Sequence, residues 1–377
     1  MFLPVLFTGI YTPPSPSREG SQIQPVAIIK DSYLAISETN NIKTTNMKTT
    51  YLILSIPFLL LSAAGCTSDE LQDKPITNEK GEYAINFNGN MDLTLTKATT
   101  TEVATGVKAT ISAYTQSADV TSAQAIVSKG YTVGSTAGTF VGDADFVMYL
   151  PKGDYDFYAI SCNSTATVPT FTSGVSEVLS NGVDYIYAKP TPATTVPATT
   201  NVTLAFQRKA VLIEIKVKGS DTDGLELTEW QSTNPATITP PVTTGCTMAL
   251  ATGIIPPAGS IDTEQSGEVY KAAMTTGEVS GKETTATYTM LPVVASQTLK
   301  VKFKVKVKIG GRTAEDKTYT ADLTAPNNSD NGNATAFLSG KKYTYNAILK
   351  ANKITFTGAT VADWGTVAGS DPTVTEP

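Results

Sequence analysis

The sequence contains no histidine. That absence removes Ser–His and Cys–His nucleophile pairs, histidine-ligated zinc or iron, and an imidazole pH switch. Catalysis would be left to carboxylates, lysine or tyrosine. Charge is scarce too: Asp, Glu, Lys and Arg make up 16% of the 377 residues, against roughly 25% in an average soluble domain. The balance is acidic, with 34 Asp+Glu against 28 Lys+Arg and a formal net charge of −6. A nucleic-acid binder needs a basic face to neutralise phosphates, so this partner class is disfavoured. G-x-S-x-G, P-loop and dinucleotide fingerprints are also missing. The expectation is a non-enzyme, with no catalytic, cofactor-binding or metal residues.

Thr, Ala and Val are abundant, and a charge-poor chain of that kind favours β-structure over helical bundles. Its length suggests two domains at roughly 100–200 residues each. Ile85-Asn86-Phe87 and Leu93-Thr94-Leu95 alternate with period two, as half-buried strands do. Val211, Ile213, Ile215 and Val217 share one face, opposite Glu214, Lys216 and Lys218. The clearest strand is Val301, Phe303, Val305, Val307 and Ile309, with Lys302, Lys304, Lys306 and Lys308 on the other face. Those lysines read as a solvated face that deters edge pairing rather than a polyanion grip. Phe146 to Leu150, a Pro151-Lys152-Gly153-Asp154 turn and Tyr155 to Ile160 predict a hairpin. The fold class expected is all-β, two tandem antiparallel β-sandwiches, over 98–200 and 201–377. The join is placed near residue 200, in the Pro/Thr-rich stretch 189–201.

The acid pairs Asp143/Asp145 and Asp154/Asp156 could in principle serve a calcium site or a glycosidase. Each adjoins glycine in an expected turn, where Asp bonds its own backbone, and solvated turn residues are the reading taken. Asp221-Thr222-Asp223-Gly224 begins like a calcium loop but lacks the later acids at EF-hand spacing.

The amino-terminal region has its own logic. Residues 1–46 are expected to be sequence upstream of the true start. Met47-Lys48, the apolar run Tyr51 to Leu61 and Ser62-Ala63-Ala64-Gly65 form a signal peptide over 47–65. The run is too short for a membrane span of about 20 residues. Cys66 follows, and the junction resembles the lipobox of bacterial lipoproteins, although Ala63 stands where Leu is preferred. Lipidation at Cys66 would anchor the chain to the outer membrane. Thr67-Ser68-Asp69-Glu70 resembles a surface-export signal of Bacteroidetes lipoproteins. Of the remaining cysteines, Cys162 and Cys246, a bridge is open but two separate half-buried thiols are expected.

Three further segments belong together. They are Pro151 to Ala159 (PKGDYDFYA), Leu204 to Ala210 (LAFQRKA) running into Val217, and Leu338 to Asn346 (LSGKKYTYN) followed by Ile354-Thr355-Phe356 and Val361-Ala362-Asp363-Trp364. In this order behind a lipobox they resemble the fimbrillins, the type V pilus subunits of Bacteroidales. The second segment carries Arg208 and Lys209 where the family often has histidine.

The resemblance implies two transthyretin-like sandwiches, export as a lipoprotein, and adhesion through a surface fimbrium built with other fimbrial subunits. A protease removes the first strand, and a donor strand from a neighbour fills the groove by β-augmentation. Residues 66–97 would be the tether and removable strand, with Lys97 as the processing site; Lys80 is the runner-up. The tail 353–367 would be the donor, through Ile354, Phe356, Val361 and Trp364. The competing reading is a surface lipoprotein that binds glycans on Trp230, Trp364 or exposed tyrosines. A carboxylate-based hydrolase is the third.

Overall fold

The structure is a computed structural model that describes residues 76–91, 101–262, 283–326 and 336–364. By internal contacts the chain divides into Met1–Thr67 and Ser68–Pro377, and every described residue belongs to the second unit. Cys66, Lys97, the signal peptide, Leu93 and Leu95 lie outside the described residues.

The first domain contains β1 (Tyr83–Met91), β2 (Thr101–Glu102), β3 (Lys108–Thr115), β4 (Val127–Val133), β5 (Thr139–Gly142) and β6 (Met148–Leu150). It continues with β7 (Gly153–Ser161), β8 (Phe171–Thr172), β9 (Val175–Ser176), β10 (Ile186–Ala188), β11 (Thr194–Val196) and β12 (Asn201–Arg208). The sheet runs β10-β12-β1-β5-β4-β3-β7, and a β7–β10 pairing closes it on itself. Its interior holds Ile85, Phe87, Ile111, Phe157, Leu204 and Phe206 among others. β8 and β9 form a two-stranded sheet, and Val175 of β9 bridges to Ala249.

The second domain contains β13 (Val211–Gly219), β14 (Leu225–Trp230), β15 (Ala236–Ile238) and β16 (Thr284–Met290). β17 (Thr298–Ile309), β18 (Glu315–Thr324), β19 (Lys341–Leu349) and β20 (Ile354–Asp363) complete it. One sheet is ordered β16-β13-β19-β20; in the other, β17 pairs with β14, β15 and β18. Val211, Ile213, Ile215 and Val217 of β13 face Val301, Phe303, Val305 and Val307 of β17 across the core. Both alternations read in the sequence are therefore the inner faces of one sandwich.

Four expectations need correction. The join is not at residue 200, because Asn201–Arg208 pairs with β1 and β10 of the first domain and the second begins at Val211. The sandwiches are not purely antiparallel: β1–β12 and β13–β19 are parallel, joining segments far apart in sequence. The Phe146–Ile160 hairpin does not form. β6 pairs with β1, while β7 pairs with β3, β10 and β11. Nor do the β17 lysines guard an edge, since β17 has neighbours on both sides. Lys300 and Lys306 instead bridge to Asp322 and Glu229 on those neighbours.

A third cluster ties the domains together. β7 buries Phe157 and Ala159 in the first core, and it buries Tyr158 and Ile160 against Cys246, Met248 and Leu250 from the loop after β15. Both faces of β7 are covered here, which is why the run Phe157 to Ile160 is apolar and aromatic without alternation. Hydrogen bonds follow the same seam: Tyr187 Oη donates to Leu250 O at 2.9 Å, and Asn181 Nδ2 donates to Pro241 O at 2.8 Å.

Phe303 lies at the centre of the second core, 1% exposed and with its ring 5.8 Å from that of Trp230. Phe303→Ala should cost about 3–5 kcal/mol. Denaturant unfolding should show that loss, and a change below about 1 kcal/mol would contradict the placement of the core.

Candidate assembly site

β1 is the strand on which the first domain closes. On one side its residues Asn86–Met91 pair in parallel with Asn201–Phe206 of β12. On the other it pairs antiparallel with β6, β5 and β2 in turn. Ile85, Phe87, Gly89 and Met91 point inward, while Asn86 and Asn88 stay exposed. The Phe87 ring meets Tyr131 and Phe157 edge-on, each at 5.3 Å. At Gly89 the wall comes so close that a Cβ would sit 2.5 Å from Phe140 Cε2 and 3.1 Å from Phe206 Cε2. Outside, Asn86 Nδ2 donates to Asn201 Oδ1 at 3.1 Å.

Taking β1 away would strip both flanks at once. The slot left behind is lined by Phe140, Met148, Leu150, Val202, Leu204 and Phe206, all buried in the intact domain. β1 ends at Met91 and β2 begins at Thr101; Lys97 lies between them in sequence, outside the described residues.

The tail residues Ile354, Phe356, Val361 and Trp364 lie in the second domain. Among the described residues, β20 is an edge strand, paired with β19. Ile354, Phe356 and Val361 pack half-buried against their own domain's core, with the Phe356 ring 6.0 Å from Tyr345. Pairing of β20 shifts register between Asn346 and Ala347, leaving Thr357 unmatched in a bulge. Trp364 is beyond the strand, its N–H donating to Gly340 O at 2.8 Å and its ring 4.8 Å from the Arg208 guanidinium. Three of the four thus share a strand, and the fourth belongs to the joint.

Comparison with known proteins now bears on this geometry. A family model described as fimbrillin-like matches residues 96–364, most of the 377-residue chain. The chain belongs to the fimbrillin-like family. No curated protein matches it. Among solved structures it is similar to a candidate cell adhesion protein from Bacteroides uniformis, at 18% identity and a TM-score of 0.46, covering 76% of this chain and all of that one. A second, from Bacteroides ovatus, gives 18% identity and 0.47 over 75% of this chain and 98% of the other. The tip fimbrial protein Mfa3 of Porphyromonas gingivalis, in a C-terminally truncated form, gives 8% and 0.42 over 74% of this chain and all of that one. The family match alone carries the assignment. It supports a fimbrial adhesion subunit of the cell surface.

The fimbrillin-like segments read in the sequence converge on the joint between domains. Arg208 ends β12, and its Nε donates to Asp184 Oδ2 at 2.9 Å while its guanidinium covers Trp364. Ser339 Oγ donates to Lys209 O at 2.8 Å, and Gly340 N donates to Ala210 O at 2.9 Å. Gly340 has a positive φ, and a Cβ there would lie 2.9 Å from Arg208 O, so glycine is required twice over. Asn163 Nδ2 also donates to Asp184 Oδ2, at 2.7 Å. Burial nevertheless pushes the Asp184 carboxyl above the usual range, against the pull of Arg208 and Asn163. Sequence reading saw Arg208 only as a departure from histidine; its partner Asp184, 24 positions away, left no local signal.

Other candidate residues are dispersed. Cys162 and Cys246 are both buried and unbridged in the third cluster, donating to Thr167 O and Val242 O. Burial pushes the Cys162 thiol up to about 11, which makes it a poor nucleophile. Asp143 and Asp145 are exposed in a 3₁₀ turn, as read. Asp154 and Asp156 are not in a turn but on β7, where Asp156 is buried and accepts the Ser117 N–H at 3.0 Å. Among the described residues, no three acids or cysteines converge to hold a metal. Trp230 is packed on Phe303 and donates to Thr284 Oγ1 at 3.3 Å, and Trp364 is under Arg208.

Removing Arg208 would leave the half-buried Asp184 with Asn163 as its remaining partner. Arg208→Ala should therefore destabilise the chain by about 1.5–3 kcal/mol. The folded carboxyl titrates above its unfolded value, so protonation favours the fold. The penalty should be largest at neutral pH and shrink as pH falls through the raised value. Denaturation midpoints of variant and parent at neutral and acidic pH check this. A loss that is the same at both would contradict it.

Proposed function

We propose that this chain is a structural subunit of a surface fimbrium, exported as a lipoprotein through Cys66 and assembled by donor-strand exchange after cleavage at Lys97. The observation that carries the reading is the position of β1. It is hydrogen-bonded along both edges and buried at the centre of the first core, yet it precedes everything else in that domain. A cut in the 92–100 connection would leave it held by noncovalent contacts alone. The family match begins at residue 96, past β1 and one residue before Lys97. That start supports a mature subunit without the first strand.

An emptied slot exposes unpaired backbone on β12 and apolar pockets beside it. β-Augmentation by a strand from the next subunit answers both needs. Each buried side chain of the incoming strand would contribute about 1.5–3 kcal/mol. The half-buried edge strand β20 is the donor on this reading, since no described strand pairs with its other flank and its apolar residues are only partly covered. The lipid at Cys66 would hold the precursor at the outer membrane until the cut releases it. Adhesion is then a property of the assembled fibre.

Amino-terminal sequencing of assembled material should begin at Ala98. Lys97→Gln should keep β1 attached and abolish the SDS-resistant ladder, while Cys66→Ser should lose labelling by a palmitate analogue. Fibres that still contain Tyr83–Met91 would overturn the proposal.

A further inference from the structure

β1 and β20 share a pattern that their home environments explain unequally. β1 reads Ile85-Asn86-Phe87-Asn88-Gly89, and β20 opens Ile354-Thr355-Phe356-Thr357-Gly358. Isoleucine, phenylalanine and glycine fall at alternate places in both, with polar residues between.

In β1 every part of that pattern is used. Ile85 and Phe87 fill the core, Asn86 and Asn88 face solvent, and Gly89 passes Phe140 and Phe206 too closely for any side chain. In β20 the same pattern is largely unused. Ile354 and Phe356 are only half-buried, and the alternation is interrupted by the bulge at Thr357. Gly358 is exposed, outside the left-handed region, and a Cβ there would meet nothing nearer than Asn346 Nδ2 at 3.7 Å. Nothing around Gly358 at home calls for glycine. The β1 slot does, and its pairing with β12 runs without a register shift.

We infer that residues 354–358 of one subunit take the places of residues 85–89 in a second copy of this same chain, Ile354 for Ile85, Phe356 for Phe87 and Gly358 for Gly89. This rests on the donor-strand reading and adds to it the register and the partner. The chain is self-complementary, so it propagates as a homopolymer and serves as a repeating shaft subunit. Gly358 acts as the register key, because a shift by two residues would drive Phe356 or Thr360 into the wall at the Gly89 position. Thr355 and Thr357 then stand where Asn86 and Asn88 did, beside Asn201 and Thr203 of the acceptor. The same register sets Thr360 at the place of Met91 and turns Val361 outward, so Val361 drops from the pocket-filling set.

The test uses the full chain in cells that process and assemble it, with one cysteine per copy. Thr203→Cys in one copy and Thr357→Cys in another should form an intersubunit disulfide, since neighbouring strand positions fall within the 4.4–6.8 Å Cα range of such bonds. Asn201→Cys or Ala205→Cys opposite Thr357→Cys should cross-link far less. A link that moves to residue 201 or 205 overturns the register and leaves donor exchange standing. A ladder without any link from residue 357 overturns the tail as donor. No ladder from this chain as sole subunit overturns self-complementarity. Gly358→Leu should fold with an unchanged melting temperature, given the open space at home, and lose the ladder. Normal assembly of that variant would overturn the role of Gly358.

Discussion

The first domain depends on a single strand being present between β12 and the β6, β5 and β2 segments. Those flanks do not pair with one another, and each holds its backbone groups toward the same gap. Buried backbone groups without partners are costly, and the pockets beside them are lined by Phe140, Leu204 and Phe206. The domain is therefore complete only while some strand of the right pattern occupies that place. Nothing in the physics requires the strand to be β1 itself. On the proposed reading, loss of β1 would turn the folded precursor into a subunit that needs a neighbour.

The second domain and the joint supply the other half of that design. The third cluster covers the outer face of β7 with the loop after β15, so each domain completes the other's packing. Arg208 spans the junction between the half-buried Asp184 and the indole of Trp364. Gly340 and Ser339 lock the start of β19 onto the end of β12. A tail anchored at Trp364 is thus tied to the domain that contains the slot. Freeing β20 for donation means breaking its pairing with β19 and the contacts of a half-buried face, far less than the full core that β1 occupies.

Strand character was legible wherever one face is buried and the other wet. β13 and β17 alternate so cleanly that composition alone placed their inner faces. What could not be read was which strand lies beside which. The pairing of β6 with β1 and of β12 with β1 joins residues up to 115 positions apart, and no local turn signal encodes it. The Pro/Thr stretch before residue 200 looked like a linker but contains β11, which pairs with β7. The first strand was visible as Ile85 and Phe87, whereas the close approach at Gly89 could be seen only with Phe140 and Phe206 in place. Asp184 was invisible because its importance comes from burial and from Arg208, both set by the tertiary fold.

The most direct test of a slot that must be filled is amide hydrogen exchange along Val202 to Phe206 in three states. In the intact chain these amides should be protected. In the processed monomer freed of β1 they should exchange rapidly, because their partner is gone. In the assembled fibre protection should return to the level of the intact chain. Protection of β12 that is indifferent to the loss of β1, or that does not return on assembly, would contradict the account.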